Sequence, residues 1–245
     1  MILGRERHVH AACFTELDAA VADLAGGRTV ALNAHAFPHE VPIGAVVYNL
    51  ENVGIQVGAS PLAFLGHELW DFSRRNVEAW HAAGRAVAHV PVGYHPSMER
   101  FRRLPAEACE HDVVFTGAMN DRRRAVLDAL RQRGLRVAVV PYDLYGAQRD
   151  QILSRSRMAL NMLYYEEGTH PVLRTAHLVA NGVPVLCEHA PEAPTWALLQ
   201  CAYGDLVERC AELLGRRREV LDHLADSSYV ALRMHPMTLP IGPSS

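Results

Sequence analysis

Short apolar runs alternate with amphipathic stretches along the chain, most clearly in its second half. Residues 112–116 (DVVFT), 136–140 (RVAVV), 157–162 (RMALNM) and 183–187 (VPVLC) read as strands. Continuous apolar runs of this length suit a sheet buried on both faces. Between the first two, residues 120–134 place Val126, Leu127 and Leu130 on one helical face, with Asn120 or Asp121 as N-cap and Gly134 as the stop. Residues 147–156 read as a further helix. Residues 171–181 read as another, whose Pro171 suits the first turn and whose Gly182 suits the C-terminal cap. Residues 205–224 give one or two closing helices. This strand–helix–strand order implies a parallel sheet covered on both faces.

The first half is less regular. Residues 15–24 and 74–83 look helical, while 29–33 (TVALN), 45–48 (AVVY) and 86–90 (AVAHV) look like strands. Residues 91–103 carry two prolines, a glycine and three arginines without an apolar period, so a boundary is expected near residues 95–111. The fold class expected is α/β: two Rossmann-like parallel-sheet units facing each other across a cleft. Residues 1–100 form the first, residues 101–235 the second, and residues 236–245 an irregular tail. No internal repeat, low-complexity tract or heptad pattern is present.

Composition narrows the chemistry. A chain of 245 residues fits one large domain or two small ones. Its 49% hydrophobic and 21% charged residues exclude disorder as the main state. The net charge of −3 does not mark a nucleic-acid binder. All 24 basic residues are arginine, which excludes a Schiff-base lysine, a Walker-type phosphate lysine and a lysine base. No run approaches the roughly 18–20 apolar residues that span a bilayer, so no membrane insertion is expected. Cys13, Cys109, Cys187, Cys201 and Cys210 are scattered and form no C-x-x-C. They are expected as free thiols in a reducing cytoplasm.

In an open parallel sheet, ligands bind beyond the carboxyl ends of the strands. After residue 116 comes Gly117-Ala118-Met119-Asn120-Asp121-Arg122-Arg123, a glycine turn leading into a helix. Such a turn lets an anion approach backbone N–H groups, with arginines nearby; an ordinary turn with two solvated arginines is the alternative. Residues 163–170 (LYYEEGTH) precede the helix that opens at Pro171, with Thr169 or His170 as its cap. Arg174 and His177 stand three apart on that helix, near its electropositive end. Arg174 can fork onto a diphosphate and His177 can donate to a phosphate or ribose oxygen; alternatively Arg174 pairs with Glu166 or Glu167. Tyr142, Tyr145, Tyr164 and Tyr165 can stack on a base or edge the core. Glu188 and His189 close the last strand.

The histidine pair His35 and His39 has ligand-like spacing, but Phe37-Pro38 breaks any helix between them, so no metal site is expected. His8 and His10 alternate in a possible N-terminal strand. Arg216, Arg217 and Arg218 form a solvated face or touch acidic phospholipid.

Residues 113–188 resemble the nucleotide-sugar-binding domain of group-1-type glycosyltransferases of the GT-B fold, in particular the spore-maturation-like branch. FTGAMNDRR, the acids of EEG, and RTAHLVANGVPVLCE carry the resemblance. Arg174 matches the family's helix arginine and Gly182 its glycine, while His177 stands where the family has a glutamate that contacts ribose. More loosely, YNLEN, WDFSRRN and VPVGYHPS resemble the acceptor half and hinge, in an abridged form. The resemblance implies metal-independent sugar transfer from a nucleotide diphosphate sugar, as co-substrate and without a cofactor, to a small hydroxyl or amine acceptor. The implied donor-site residues are Gly117, Asn120, Arg122, Tyr142, Tyr165, Glu167, His170, Arg174 and His177. With no lysine, Arg122, Arg123 and Arg174 would stabilise the leaving diphosphate. An inverting enzyme also needs a base; Glu51 ranks first, then His95, with Asp71 and His35 as further candidates. The short first half implies a small acceptor, a homodimer or other partner subunit that completes the site, or replaced chemistry. A GT-B-derived biosynthetic enzyme and a non-catalytic nucleotide-binding scaffold are the alternatives.

Overall fold

The computed structural model describes residues 2–3, 17–58, 64–141 and 143–239. These residues form two parallel five-stranded sheets with helices, the α/β architecture expected. The chain divides into two compact units: Met98–His235 form one, and the flanking segments form the other.

The first unit carries β1 (Ile2–Leu3), α1 (Asp18–Ala25), β2 (Val30–Leu32), β3 (Val46–Asn49), β4 (Glu68–Asp71), α2 (Arg74–Ala82) and β5 (Ala88–His89). The strands lie side by side in chain order, from β1 at one edge to β5 at the other. Register runs Val30↔Val46, Val46↔Glu68 and Trp70↔Ala88. Strands β2 and β3 are buried along their whole length, as parallel packing requires. One face packs Ala31, Val47 and Leu69 against Trp80 of α2. Ser73 caps α2, its Oγ accepting from the Asn76 N–H at 3.1 Å. Strand β4 escapes sequence reading, because Glu-Leu-Trp-Asp holds only two apolar residues. Tertiary contacts make it a strand, with Trp70 and Asp71 both fully buried. Residues 236–239, part of the stretch expected as an irregular tail, form no helix or strand; Pro236 bridges Tyr94, and the Met237 N–H donates to the Tyr94 carbonyl at 3.0 Å.

The second unit carries β6 (His111–Thr116), α3 (Asp121–Gln132), β7 (Val137–Val140), α4 (Ala147–Ser154), β8 (Ser156–Asn161), α5 (Val172–Ala180), β9 (Val185–Glu188), β10 (Leu199–Cys201), α6 (Leu206–Gly215) and α7 (Arg218–Arg233). Its core joins Val113, Phe115, Leu127, Leu130, Met158, Leu160 and Leu186 to Leu206, Cys210 and Leu213 of α6. Local caps set the helix ends. Asn120 accepts from the Arg123 N–H, and Gly134 and Gly182, at φ +80° and +72°, follow the ends of α3 and α5. At α5 the Gly182 and Val183 N–H groups reach back to Val179 and Leu178, a Schellman closure. Edge strand β10 carries no apolar period of its own. The closing helices extend past the expected residue 224, to Arg233.

The spatial order of this sheet is β10-β9-β8-β6-β7. From β6 the chain steps outward to β7, then crosses back to β8 on the other side. The carboxyl ends of β6 and β8 therefore flank a topological switch point, the place where open α/β sheets leave a crevice.

Candidate functional site

Gly117 follows β6 directly, and Asn161 ends β8. Arg174, in the first turns of α5, spans the two. Its Nη1 donates to Asn161 Oδ1 at 2.9 Å, and its guanidinium lies against the Gly117 backbone. A β-carbon built on Gly117 would stand 2.7 Å from Arg174 Nη2 and 3.0 Å from Cζ. Gly117 also sits at φ +135°, a conformation L side chains rarely adopt. Conformation and contact both demand glycine here.

Beneath this contact lies Arg123, fully engaged and buried. Its Nε donates to the Leu163 carbonyl at 3.2 Å, its Nη1 to the Ala118 carbonyl at 2.6 Å, and its Nη2 to the Met162 carbonyl. The guanidinium lies 5.2 Å from the ring centres of both Phe115 and Tyr164. Among the described residues no carboxylate pairs with it. Burial, then the neighbouring Arg174 charge, push its pKa down to about 9, so it stays charged at neutral pH. The hydrogen bonds of this buried cation go to neutral carbonyls, and the Glu188 charge acts on it without a direct contact.

Arg122 is placed differently. It forks onto Glu188 at the end of β9, its Nη1 donating to Oε2 at 2.7 Å and its Nη2 to Oε1. Its Cζ lies 3.7 Å from the centre of the Tyr203 ring. Glu188 also accepts from the Leu163 N–H at 2.9 Å. The hydrogen bonds it donates to Glu188 raise the Arg122 pKa. Its charge is thus neutralised inside the protein, a consequence of an ion pair 66 positions apart in sequence.

Asn120 joins the rim as cap and tether: its Nδ2 donates to the Tyr164 carbonyl at 2.9 Å. The loop so held presents Tyr164 and Tyr165, two partly exposed rings packed edge to face with centroids 4.8 Å apart. Glu167 is exposed on the same loop. His170 is buried, its Nε2 2.9 Å from Thr175 Oγ1, and its Nδ1 is buried with no hydrogen-bond partner among the described residues. Burial first, and Arg174 second, lower its pKa to about 4, so the ring is neutral at pH 7. Tyr142 lies outside the described residues.

His177 does not share the rim with Arg174, contrary to the shared face that their spacing suggests. Three residues turn a helix by about 300°, which leaves the two side chains about 60° apart, and the different elements packed against α5 take them to different neighbours. His177 is buried on the α4 side: its Nε2 lies 3.1 Å from Arg149 Nη2 and 3.3 Å from Asp150 Oδ1, with Phe101 edge-on at 5.7 Å. Asp150 also takes Arg100 Nε at 3.2 Å. Burial raises the Asp150 pKa, but His177 and Arg149 outweigh it and hold the carboxyl at about 2.

In the first unit, Glu51 and Asp71 belong to one polar network, and His95 does not. Asp71 is fully buried at the end of β4 and accepts from Asn49 Nδ2 at 2.7 Å, Asn76 Nδ2 at 2.9 Å, Trp80 Nε1 at 3.0 Å and the Ser73 N–H at 3.0 Å. Burial raises its pKa to about 6 against the lowering effect of these donors. Glu51 is half-buried after β3, with Asn33 Nδ2 3.3 Å from its Oε1. His95 bonds Ser97 Oγ at 2.8 Å and Asp23 Oδ2 at 3.1 Å. His35 lies in a short 3₁₀ turn after β2.

Sequence reading does not single out Asn161, Thr175, Asn49 or Asn76. A usable signal exists for two of them: Asn49 is the single amide or charged residue of β3, at its end, as Glu188 is for β9, and Asn161 ends β8 directly after the apolar run Met158–Leu160. Among the described residues no cluster of three or more histidine, cysteine or acidic side chains is placed to hold a metal ion. Among them, too, no helix is long and apolar enough to cross a membrane.

No family model matches the sequence. Over 81 residues the chain is 27% identical to the uncharacterized protein L140 of Acanthamoeba polyphaga mimivirus, 31% of this chain and 26% of L140. Over 112 residues it is 24% identical to L138 of the same virus, 43% of this chain but 13% of L138. The matches thus span well under half of either curated relative. Among solved structures, a DNA-modifying β-glucosyltransferase, studied with and without uridine diphosphoglucose, overlays with a TM-score of 0.49 at 13% identity, over 84% of this chain and 76% of that one. The accessory secretory proteins 1, 2 and 3 of Streptococcus pneumoniae overlay with a TM-score of 0.44 at 8% identity, over 92% and 52%. Overlays of this quality assign no activity.

Proposed function

We propose that the chain is a metal-independent glycosyltransferase that grips a nucleotide diphosphate sugar at the carboxyl rim of the second sheet. The observation that carries this reading is the seating of Arg174 against Gly117 at the β6/β8 switch point, above the buried, carboxylate-free charge of Arg123. Two guanidinium charges beside a glycine turn and the N-terminus of α5 suit a diphosphate. They also suit a leaving group that gains charge in the transition state, which removes the need for a metal. The partly exposed Tyr164 and Tyr165 rings offer a stacking surface for the base. Arg122, spent on Glu188, serves the framework and not the ligand.

In the transfer, the bond from the sugar's anomeric carbon to the phosphate oxygen breaks and the diphosphate leaves with the electron pair. An acceptor oxygen or nitrogen bonds that carbon and loses its proton. For an inverting course we assign that proton to the Glu51 carboxylate.

The test is a calorimetric screen of UDP, GDP and TDP with their glucose conjugates, followed by assay of nucleoside diphosphate release. Wild type is expected to bind one diphosphate, and Arg174→Ala to lose at least tenfold in affinity with its fold intact. Absence of binding to all of them overturns the reading. A second reading, a phosphate-dependent enzyme of other chemistry, draws on the burial of His177, which leaves no carboxylate or imidazole from that helix position for a ribose. Diphosphate binding without release of sugar would select it.

A further inference from the structure

Two side-chain amides in the first unit do the same thing. Asn49 Nδ2 donates one hydrogen to Asp71 Oδ2 at 2.7 Å and the other to the Glu51 carbonyl at 2.9 Å. Asn76 Nδ2 donates one to Asp71 Oδ1 at 2.9 Å and the other to the same carbonyl at 2.8 Å. A carboxylate and a carbonyl only accept, so both amide groups must turn their NH₂ inward. The outward amide oxygens are used as well: Asn76 Oδ1 accepts from the Val53 N–H at 3.0 Å, and Asn49 Oδ1 lies 3.4 Å from the Glu51 N–H. The two oxygens of Asp71 are thus joined through two parallel bridges to the backbone of one residue.

We propose that Asp71 is a positioning residue for Glu51: acting through Asn49 and Asn76, it holds the backbone from which the Glu51 carboxylate is presented, and it does not itself meet substrate. Asp71 is fully buried, whereas Glu51 is half-buried with Asn33 beside its carboxylate. The bridges span β3, β4 and α2, three elements fixed by the core, so the turn after β3 inherits their rigidity. Supporting groups of this kind keep a reacting side chain within tenths of an ångström of its working position. The role given to Glu51 rests on the transferase reading; the geometry of the bridges does not.

The experiment uses the full chain with UDP-, GDP- and TDP-glucose, reading nucleoside diphosphate release with water or added acceptor. The variants are Glu51→Gln, Asp71→Asn and their combination. An asparagine at 71 sets an NH₂ against one of the two bridging amides and breaks that bridge. Glu51→Gln is expected to lower kcat at least 100-fold. Asp71→Asn is expected to lower it at least tenfold with the affinity for free diphosphate unchanged. The double variant is expected to be no worse than Glu51→Gln alone, because groups acting as one unit are not additive. Losses that multiply, or an unaffected Asp71→Asn, overturn the proposal. If Asp71→Asn fails to fold, Asn49→Ala and Asn76→Ala carry the same comparison.

Amide exchange separates this proposal from the transferase reading. Asp71→Asn is expected to speed exchange at Glu51 and Val53 at least tenfold while the Leu69 amide of β4 keeps its rate. Equal acceleration throughout the unit overturns the proposal. Release of no nucleotide by wild type overturns the transferase reading and leaves the exchange result to decide the positioning role.

Discussion

The Arg174 guanidinium rests on the backbone of Gly117, 57 positions earlier in the chain, so closely that Nη2 occupies the space a β-carbon would need. Gly117→Ala therefore meets two obstacles. A non-glycine residue at φ +135° is strained, by about 1–3 kcal/mol. The methyl group also pushes Arg174 off its seat, a cheap movement for the end of a long side chain but a decisive one for its pose. Gly117→Ala is expected to lose diphosphate affinity about as fully as Arg174→Ala. In stability the double variant should be better than the sum of the singles. Denaturant titration and calorimetry on the four proteins check this.

Glu188 and Arg122 form a buried fork. Glu188→Ala leaves the partly buried Arg122 guanidinium with only the exposed Glu166, 3.7 Å from its Nε, and is expected to destabilise by about 2–3 kcal/mol. Replacing both by apolar residues of similar volume should cost far less. Glu188→Gln is expected to strengthen diphosphate binding, because it returns the Arg122 charge to the rim. Chemical denaturation and binding measured on the same samples decide both points.

The two units are expected to respond oppositely to pH between about 4 and 6. In the first, the raised Asp71 pKa of about 6 means the folded state holds a proton that the unfolded state releases near 3.8. Its stabilising contribution is complete below pH 4 and is lost as pH rises through 6. In the second, the lowered His170 pKa of about 4 makes stability fall as pH drops from 6.5 to 4. Asp150 and Asp112, both held at about 2, remove more as pH falls from about 4 to 2. For Asp112 the lowering comes first from the hydrogen bond of Arg136. Each of these displacements corresponds to about 3 kcal/mol. Amide exchange followed in each unit from pH 4 to 7 should show the two trends crossing, and Asp71→Asn should flatten the first.

His177 is a structural residue of the α4–α5 contact. His177→Ala is expected to cost about 2–3 kcal/mol by leaving Asp150 and Arg149 short of a partner, with diphosphate affinity unchanged. A loss of affinity at intact stability would return His177 to the ligand site.

Local pattern alone determined much of the second unit. The apolar runs of β6, β7, β8 and β9, the Asn120 cap and the glycines after α3 and α5 are legible because each depends on neighbours within a few positions. The glycine turn at Gly117 and the cation Arg174 near a helix start are also visible in sequence, though their contact is not. Strand β4 and edge strand β10 are not legible, since short runs with polar ends become strands only when neighbouring strands offer hydrogen bonds.

Tertiary structure alone decided which partners each charge meets. Strand order places β6 beside β8 and so opens the switch point; no local period encodes which strand lies next to which. Arg122 and Arg123 are adjacent and chemically identical in sequence, yet one is neutralised by Glu188 and the other sits among carbonyls. Arg174 and His177 part because their faces of α5 meet different elements. Charge and spacing are properties of the chain, but whether a buried charge finds a counter-ion depends on residues brought near it by long-range packing. The partners of a buried charge can be read only once that packing is known.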